Sequence, residues 1–380
     1  MLHPIVRRAV VSALIGFMMI LLAPSSLAAG PKRLLAYYTF WSKTNTPAYS
    51  ADNIPYQKLT HIAHAFLLLD KKNIGNIVVS DGLIEPALIA NAHGAGVKVS
   101  ISIGGGDPAQ AHAFRKIAAD PAIRAAFVQN VYNFVVANGY DGVDIDWEIP
   151  VNPKDTNNCI MLMQDLRNQF PAPQYLLSMV IPSDPRSWGS GFDVPALAPS
   201  LDFINVMTYD FYGPWSDRAG LNSPLFQDPA DPEQAGSIAT SMDLFANIYG
   251  VPADKLNMGT AFYGYEFDST QQLWDACTDC GNTTFTVNYG TDIKPRIGQM
   301  GWVRRRDGAA KSPYLLNQGV GGQPGFISYD DAQSTTTKVN YVLGQRGFGG
   351  VFMWSLDADY DGASQDLLDA MYLAFRRHQR

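Results

Sequence analysis

Eight short, near-continuously apolar runs recur from residue 33 onward, at 33–40, 61–68, 97–103, 140–147, 175–181, 203–208, 256–262 and 349–354. A parallel strand reads this way because helices cover its outer face and the core lies on the other. Between several of the runs, at 121–137, 159–170 and 241–249, and after the last one, at 365–375, apolar residues return at helical spacing. Eight strands alternating with helices predict an α/β fold, a (β/α)8 TIM barrel.

One interval breaks the rhythm. Residues 264–325 carry a strand-and-turn pattern rich in Gly, Asn and Thr, with Trp274, Phe285, Tyr289, Trp302 and Tyr314. They are expected to form a small α+β insertion on the rim of the barrel before the eighth strand. The first 29 residues carry a different pattern. Arg7 and Arg8 precede an uncharged apolar run, and Ser26, Ala28 and Ala29 follow it. This predicts a signal peptide cut near Ala28 or Ala29, a secreted product and no stable membrane anchor.

Without Arg7 and Arg8 the chain has 26 basic and 35 acidic side chains, a formal charge of −9. That balance argues against nucleic acid or an anionic membrane as partner and suits a neutral polymer. Cys277 and Cys280 have two residues between them, a spacing open to a local disulfide or to two free thiols. A single such pair without nearby histidines is a weak metal signal, so no metal and no cofactor are expected. Cys159 reads as a small buried hydrophobe.

The chemistry is concentrated in Asp141-Gly142-Val143-Asp144-Ile145-Asp146-Trp147-Glu148. Successive side chains on a strand alternate faces, so Asp144, Asp146 and Glu148 share one side. Val143, Ile145 and Trp147 then face the helices. Glu148 falls at the carboxyl end of its strand, where barrel active sites lie. Carboxylates in such a row cannot all ionise, and at least one must hold a proton near neutral pH. A hard cation is the alternative reason for clustered acids, but a linear row without histidines does not surround one. A retained proton is what a glycosidase acid needs, and Glu148 is the candidate to protonate the glycosidic oxygen.

The D-G-V-D-I-D-W-E run resembles the D-x-x-D-x-D-x-E signature of family 18 glycoside hydrolases, the retaining chitinases. Ser102-Ile103-Gly104-Gly105 is similar to the family's S-x-G-G, and Met207-Thr208-Tyr209-Asp210 to its M-x-Y-D. Gly259-Thr260-Ala261-Phe262-Tyr263-Gly264 and Gly349-Gly350-Val351-Phe352-Met353-Trp354-Ser355 resemble its seventh- and eighth-strand motifs. The insertion resembles the family's chitinase insertion domain. The resemblance implies hydrolysis of chitin or chito-oligosaccharides by a monomer, with the substrate's own acetamide as nucleophile. It makes Glu148 the acid and later the base. Asp146 becomes the carrier of a proton shared with Asp144, and Tyr209 a donor to the acetamide. Trp354 is the floor under the distorted sugar, and Met207, Asp210 and Tyr263 line the same pocket. Tyr38 and Phe66 are expected to pack around these groups, with Ser102 and Asp141 in support.

Three positions depart from the pattern. Gly106 and Ile149 stand where aromatics are common, and Tyr265 where an arginine is common. Trp215 is the candidate replacement platform, with Trp188 and Trp302 behind it. Two other functions share this fold: a chitin-binding lectin without activity, and an endo-β-N-acetylglucosaminidase acting on N-glycan cores. The first usually lacks part of the acidic row, which this chain keeps. The insertion, as one wall of a groove for a linear chain, weighs against the second.

Overall fold

The structure is a computed structural model that describes residues 30–148, 152–184, 191–268, 270, 272–299, 301–320 and 324–379. The expected signal peptide, Ile149 and Trp188 lie outside these residues. Eight parallel strands form a closed barrel: β1 (Arg33–Thr39), β2 (His61–Leu69), β3 (Lys98–Gly104), β4 (Gly142–Asp146), β5 (Leu176–Pro182), β6 (Phe203–Met207), β7 (Leu256–Ala261) and β8 (Gly350–Trp354). Each pairs with its neighbour in chain order, and β1 pairs with both β2 and β8, which closes the ring. The sequence-based strands agree with these to within a residue or two.

Four helices begin with proline in the first turn, three of them behind a capping side chain. Helices α1 (Pro86–Gly94), α2 (Pro108–Ala119), α3 (Pro121–Asn138) and α4 (Pro153–Gln169) all have proline in the first turn. For the last three, Asp107, Asp120 and Asn152 accept from first-turn backbone N–H groups. Proline's fixed φ suits that position, and the cap satisfies otherwise orphaned donors, for about 1 kcal/mol each. The cap also accounts for a discrepancy. Apolar spacing places the start of α4 near Cys159, but the helix begins six residues earlier, because its first turn is polar and is held by Asn152. The stretch expected to be helical at 241–249 is an α-helix over Ile238–Asp243 that loosens into a π-helical turn over Leu244–Ile248.

Two apolar layers are separated by the strands. Val143 and Ile145 of β4, and Trp147 just after it, pack outward with the helices, all fully buried. Leu35, Tyr37, Ala63, Val180 and Phe352 pack with the barrel interior. Between β7 and β8 stands a separate five-stranded antiparallel sheet, in the order Thr284–Asn288, Tyr263–Asp268, Gly325–Ser328, Pro313–Asn317, Val303–Arg306. Its first strand begins two residues after β7, so the barrel rim and this sheet share one wall. Cys277 and Cys280, beside it, are joined in a disulfide, and Cys159 is a buried thiol.

Candidate active site

Parallel register brings the polar side chains of the interior to one level. Ser102 of β3 pairs with Asp144 of β4, and Asp144 with Ser178 of β5. Both serine hydroxyls donate to Asp144, Ser102 to Oδ2 at 2.8 Å and Ser178 to Oδ1 at 2.6 Å. Tyr37 donates to Oδ2 at 2.8 Å from β1, and Asn205 lies 3.4 Å from Oδ1. Burial raises the Asp144 carboxyl above its usual range, and these four donors pull it back toward the anion. Hydrogen bonds to a charged group each contribute about 1.5–3 kcal/mol, so the set offsets much of the cost of burying a full charge.

Asp146, two residues on, has no such set. Its Oδ1 has no partner, and burial with the charges of Glu148 and Asp144 pushes it well above the usual carboxylate range. Glu148 lies at the mouth, half-buried. Burial, then the charge of Asp210, pushes it up to about 7. The row therefore runs from a carboxyl ringed by four donors at Asp144 to a pair at Asp146 and Glu148 that burial and neighbouring charge bias toward holding a proton.

The rest of the pocket is built around that pair. The backbone N–H of Gly105 donates to the Asp146 carbonyl at 3.0 Å, folding the end of β3 over the end of β4. Gly104 has φ near +113°, and a Cβ there would lie 2.2 Å from the Asp146 carbonyl oxygen, so only glycine fits. A Cβ at Gly106 would stand 3.1 Å from Glu148 Oε1, so the missing side chain leaves that flank of the carboxyl open. Trp354 stacks on Phe66 (centroids 5.6 Å, planes 20° apart) and leans on Tyr37. A register shift in β2 between His64 and Leu67 turns Phe66 to the interior side, beside Ala65. Tyr209 is buried edge-on between Tyr263 and Phe352. Asp210 has φ near +62° and accepts from the hydroxyls of Tyr263 and Tyr265, the latter at 2.9 Å. Met207 completes the wall of the cleft, an open space of roughly 610 Å³. Trp215 stands exposed on the rim, edge-on to Tyr265.

Two expected site residues lie elsewhere. Tyr38 is on the helix side of β1, stacked on His64 and donating to Glu85 at 2.9 Å, because alternation gives the interior to Tyr37. Asp141 precedes β4 at the opposite end of the strand from Glu148. It binds Lys98, His93 and the Val99 N–H there, and does not touch the row. Trp302 is buried against the Arg296 guanidinium and offers no platform. Sequence reading also passed over Tyr37, Ser178, Asn205 and Trp41. Trp41 is partly exposed and lies 6.1 Å from the Phe66 ring, extending the aromatic floor. The signal for Ser178 and Asn205 was available: polar residues inside apolar strands at inward positions. Among the described residues no group of three His, Cys, Asp or Glu side chains is arranged to hold a metal ion.

The family model for glycosyl hydrolases family 18 matches residues 33–359. The chain belongs to this family. Within family 18, it is 31% identical over 309 residues to chitinase A1 of Niallia circulans, covering 72% of this chain and 42% of that protein. A probable endochitinase of Caenorhabditis elegans is 32% identical over 65% of this chain and 41% of its own length. The chain thus spans about two fifths of these two relatives. Among solved structures, catalytic domain 2 of a group II chitinase from Ostrinia furnacalis superposes with a TM-score of 0.82 at 25% identity. The match covers 91% of this chain and 97% of that one.

Proposed function

We propose that the chain is a chitinase that hydrolyses β-1,4 bonds between N-acetylglucosamine units with retention, the substrate acetamide acting as nucleophile. One observation carries the reading: a buried carboxylate row whose inner member is ringed by four donors, with Asp146 and Glu148, both biased toward holding a proton, at the mouth of the barrel. In this reading Glu148 protonates the leaving oxygen. Asp146 bears on the acetamide nitrogen, Tyr209 on its carbonyl oxygen, and Trp354 is the floor beneath the sugar ring. Structures similar to this chain support the substrate class: one of the Ostrinia furnacalis domain is a complex with (NAG)5, and one of a Nicotiana tobaccum class V chitinase is a complex with NAG4.

The cleft continues past Asp210 and Trp354 into a second depression lined by Tyr265, Thr286 and Asn288. The sheet at 263–328, which we read as a chitinase insertion domain, thus supplies a wall along an extended groove, as a linear polymer requires. We also propose that the protein acts outside the cell after removal of residues 1–29. Among the described residues no helix is long and apolar enough to cross a membrane. The test is release of N-acetylglucosamine oligomers from colloidal chitin, run beside a high-mannose glycopeptide. Cleavage of the glycopeptide alone would make the protein an N-glycan endoglycosidase, and binding of chitin without cleavage would make it a lectin.

A further inference from the structure

Below the carboxylate row the barrel holds a second polar layer. Arg33 pairs with Gly350, Gly350 with Asn257 and Asn257 with Asn205, in register across β1, β8, β7 and β6. Arg33 Nε donates to Asn257 Oδ1 at 2.9 Å, and Asn257 Nδ2 donates to Asn205 Oδ1 at 2.9 Å. Asn205 Nδ2 then reaches the Tyr37 oxygen at 3.1 Å and Asp144 Oδ1 at 3.4 Å, and Tyr37 donates to Asp144 Oδ2. Both asparagines are fully buried. The two glycines of the eighth-strand motif make room for the chain. A Cβ at Gly350 would lie 2.3 Å from Asn257 Oδ1, and one at Gly349 2.1 Å from an Arg33 guanidinium nitrogen.

The two ends of this chain are chemically unequal. A guanidinium only donates and an ionised carboxylate only accepts, whereas an asparagine amide can face either way and a tyrosine hydroxyl can do either. With a donor fixed at one end, each link has a single orientation in which no two donors and no two acceptors meet. We propose that Arg33 is a positioning residue for the catalytic row: through Asn257 and Asn205 it makes Tyr37 a donor to Asp144, and so keeps all four donors turned on that carboxyl. The proposal rests on the reading of Asp144, Asp146 and Glu148 as that row.

If the chain reversed, Asn205 would turn its carbonyl toward Tyr37 and Asp144. Tyr37 would then donate to the amide instead, and Asp144 would lose two of four donors. It would compete with Asp146 for the row's proton.

Charges near both ends are few. Tyr37 and Asp146 are the titratable neighbours of Asp144, and β3, β5 and β6 face it with the neutral Ser102, Ser178 and Asn205. Lys32, His61, Asp202 and Asp254 surround Arg33, which lies over the Phe203 ring. Burial lowers Arg33 to about 10 and His61 to about 4, so neither changes charge in a working range of about pH 5–8.

The test is the pH profile of kcat/KM on a small chromogenic chito-oligosaccharide, for wild type, Arg33→Met, Arg33→Lys and the neutral, similarly shaped Asn257→Leu, with thermal unfolding as a check on folding. The acidic limb, set by carboxylates that must ionise, is expected to move up by about half to one pH unit in Arg33→Met and Asn257→Leu. Rates should approach wild type above that limb, and Arg33→Lys should recover part of the shift. A loss equal at every pH, with the limb in place, would overturn the proposal. If Arg33→Met does not fold, Asn257→Leu decides alone, and if that also fails, Arg33→Lys does, by a smaller shift or none. Glu148→Gln is run alongside. Retained turnover there would overturn the reading of the row, while an inert Glu148→Gln with unshifted Arg33 and Asn257 variants would overturn this inference only.

Discussion

The hydroxyl of Tyr265, a neutral donor, donates to the Asp210 carboxylate at 2.9 Å. Asp210 is buried, raised above its usual range by that burial, and held toward the anion by Tyr263 and Tyr265. Its charge is in turn the second cause of the raised Glu148. The Tyr265 hydroxyl therefore bears on Glu148 through the charge of Asp210.

Removing that link should shift the basic limb of activity. In Tyr265→Phe, Asp210 loses one donor, takes up a proton more readily and repels the Glu148 anion less. Glu148 should then ionise at a lower pH. The basic limb of kcat/KM is expected to fall by a few tenths of a unit, and by up to about one unit in Asp210→Asn, where the charge is gone. It should stay above an ordinary glutamate in both, because burial is the larger cause. A limb that moved upward would mean that Asp210 does not act on Glu148 by charge.

Glu148→Gln should lose turnover by at least roughly 10²–10⁴-fold while retaining the fold, since an amide of the same shape cannot donate the proton. Its stability should also depend on pH in a defined way. The folded carboxyl holds its proton to about 7, against an ordinary value of 4.5. Between those limits the folded state binds more protons than the unfolded one, so wild-type stability falls as pH rises through the window. The substituted protein escapes this loss. Its advantage in thermal unfolding should be absent below about pH 4, grow up to about pH 7 and then level off on the order of 3 kcal/mol. An advantage present equally at pH 4 would place its origin in packing.

Lys338 and Asp330 form an ion pair beneath the antiparallel sheet, both buried, with the Lys338 ammonium also donating to the Ser223 carbonyl and hydroxyl. Lys338→Met leaves the Asp330 charge and the Ser223 oxygens without their partner, and should cost about 3–5 kcal/mol. Combining it with Asp330→Leu should recover a large part, measured by denaturant unfolding. A double variant no better than the single one would mean that Ser223, and not the ion pair, sets the cost.

Much of this architecture could be read from the chain because its strands are largely apolar and the acids of β4 stand out against them. Apolar runs mark β1 to β8, and the alternation Val143, Ile145, Trp147 against Asp144, Asp146, Glu148 settles which face of β4 is inward. Elsewhere the same apolarity hides the answer. Tyr37 and Tyr38 are adjacent, both aromatic and both buried, so nothing local in β1 distinguishes the interior from the helix side. The register shift in β2 that turns Phe66 inward leaves no mark in composition. Asp141 belongs to the acidic run in sequence, but strand length alone carries it to the far end of the barrel. Partners such as Asn205 and Asn257 come from strands distant from β4 in sequence, and only the closed register brings them together.

The mechanism itself is open to a direct test, since an acetamide nucleophile makes hydrolysis depend on the N-acetyl group beside the scissile bond. Fully deacetylated chitosan and cellulose oligomers should be inert although their backbones suit the groove. Asp146→Asn should be severely impaired, because an amide cannot stabilise the positive charge that develops on the acetamide nitrogen. Tyr209→Phe should lose more in kcat than in KM, because a hydroxyl aimed at the forming oxazolinium matters most after binding. In this mechanism two inversions at one carbon give retention, so freshly released sugars should carry the β configuration. Proton NMR of a chitin hexamer digest in the first minutes reads the anomer before mutarotation blurs it. Initial α product would require a water attacking directly, with a carboxylate as base, and the partnerless Asp146 Oδ1 would be the first candidate for that role.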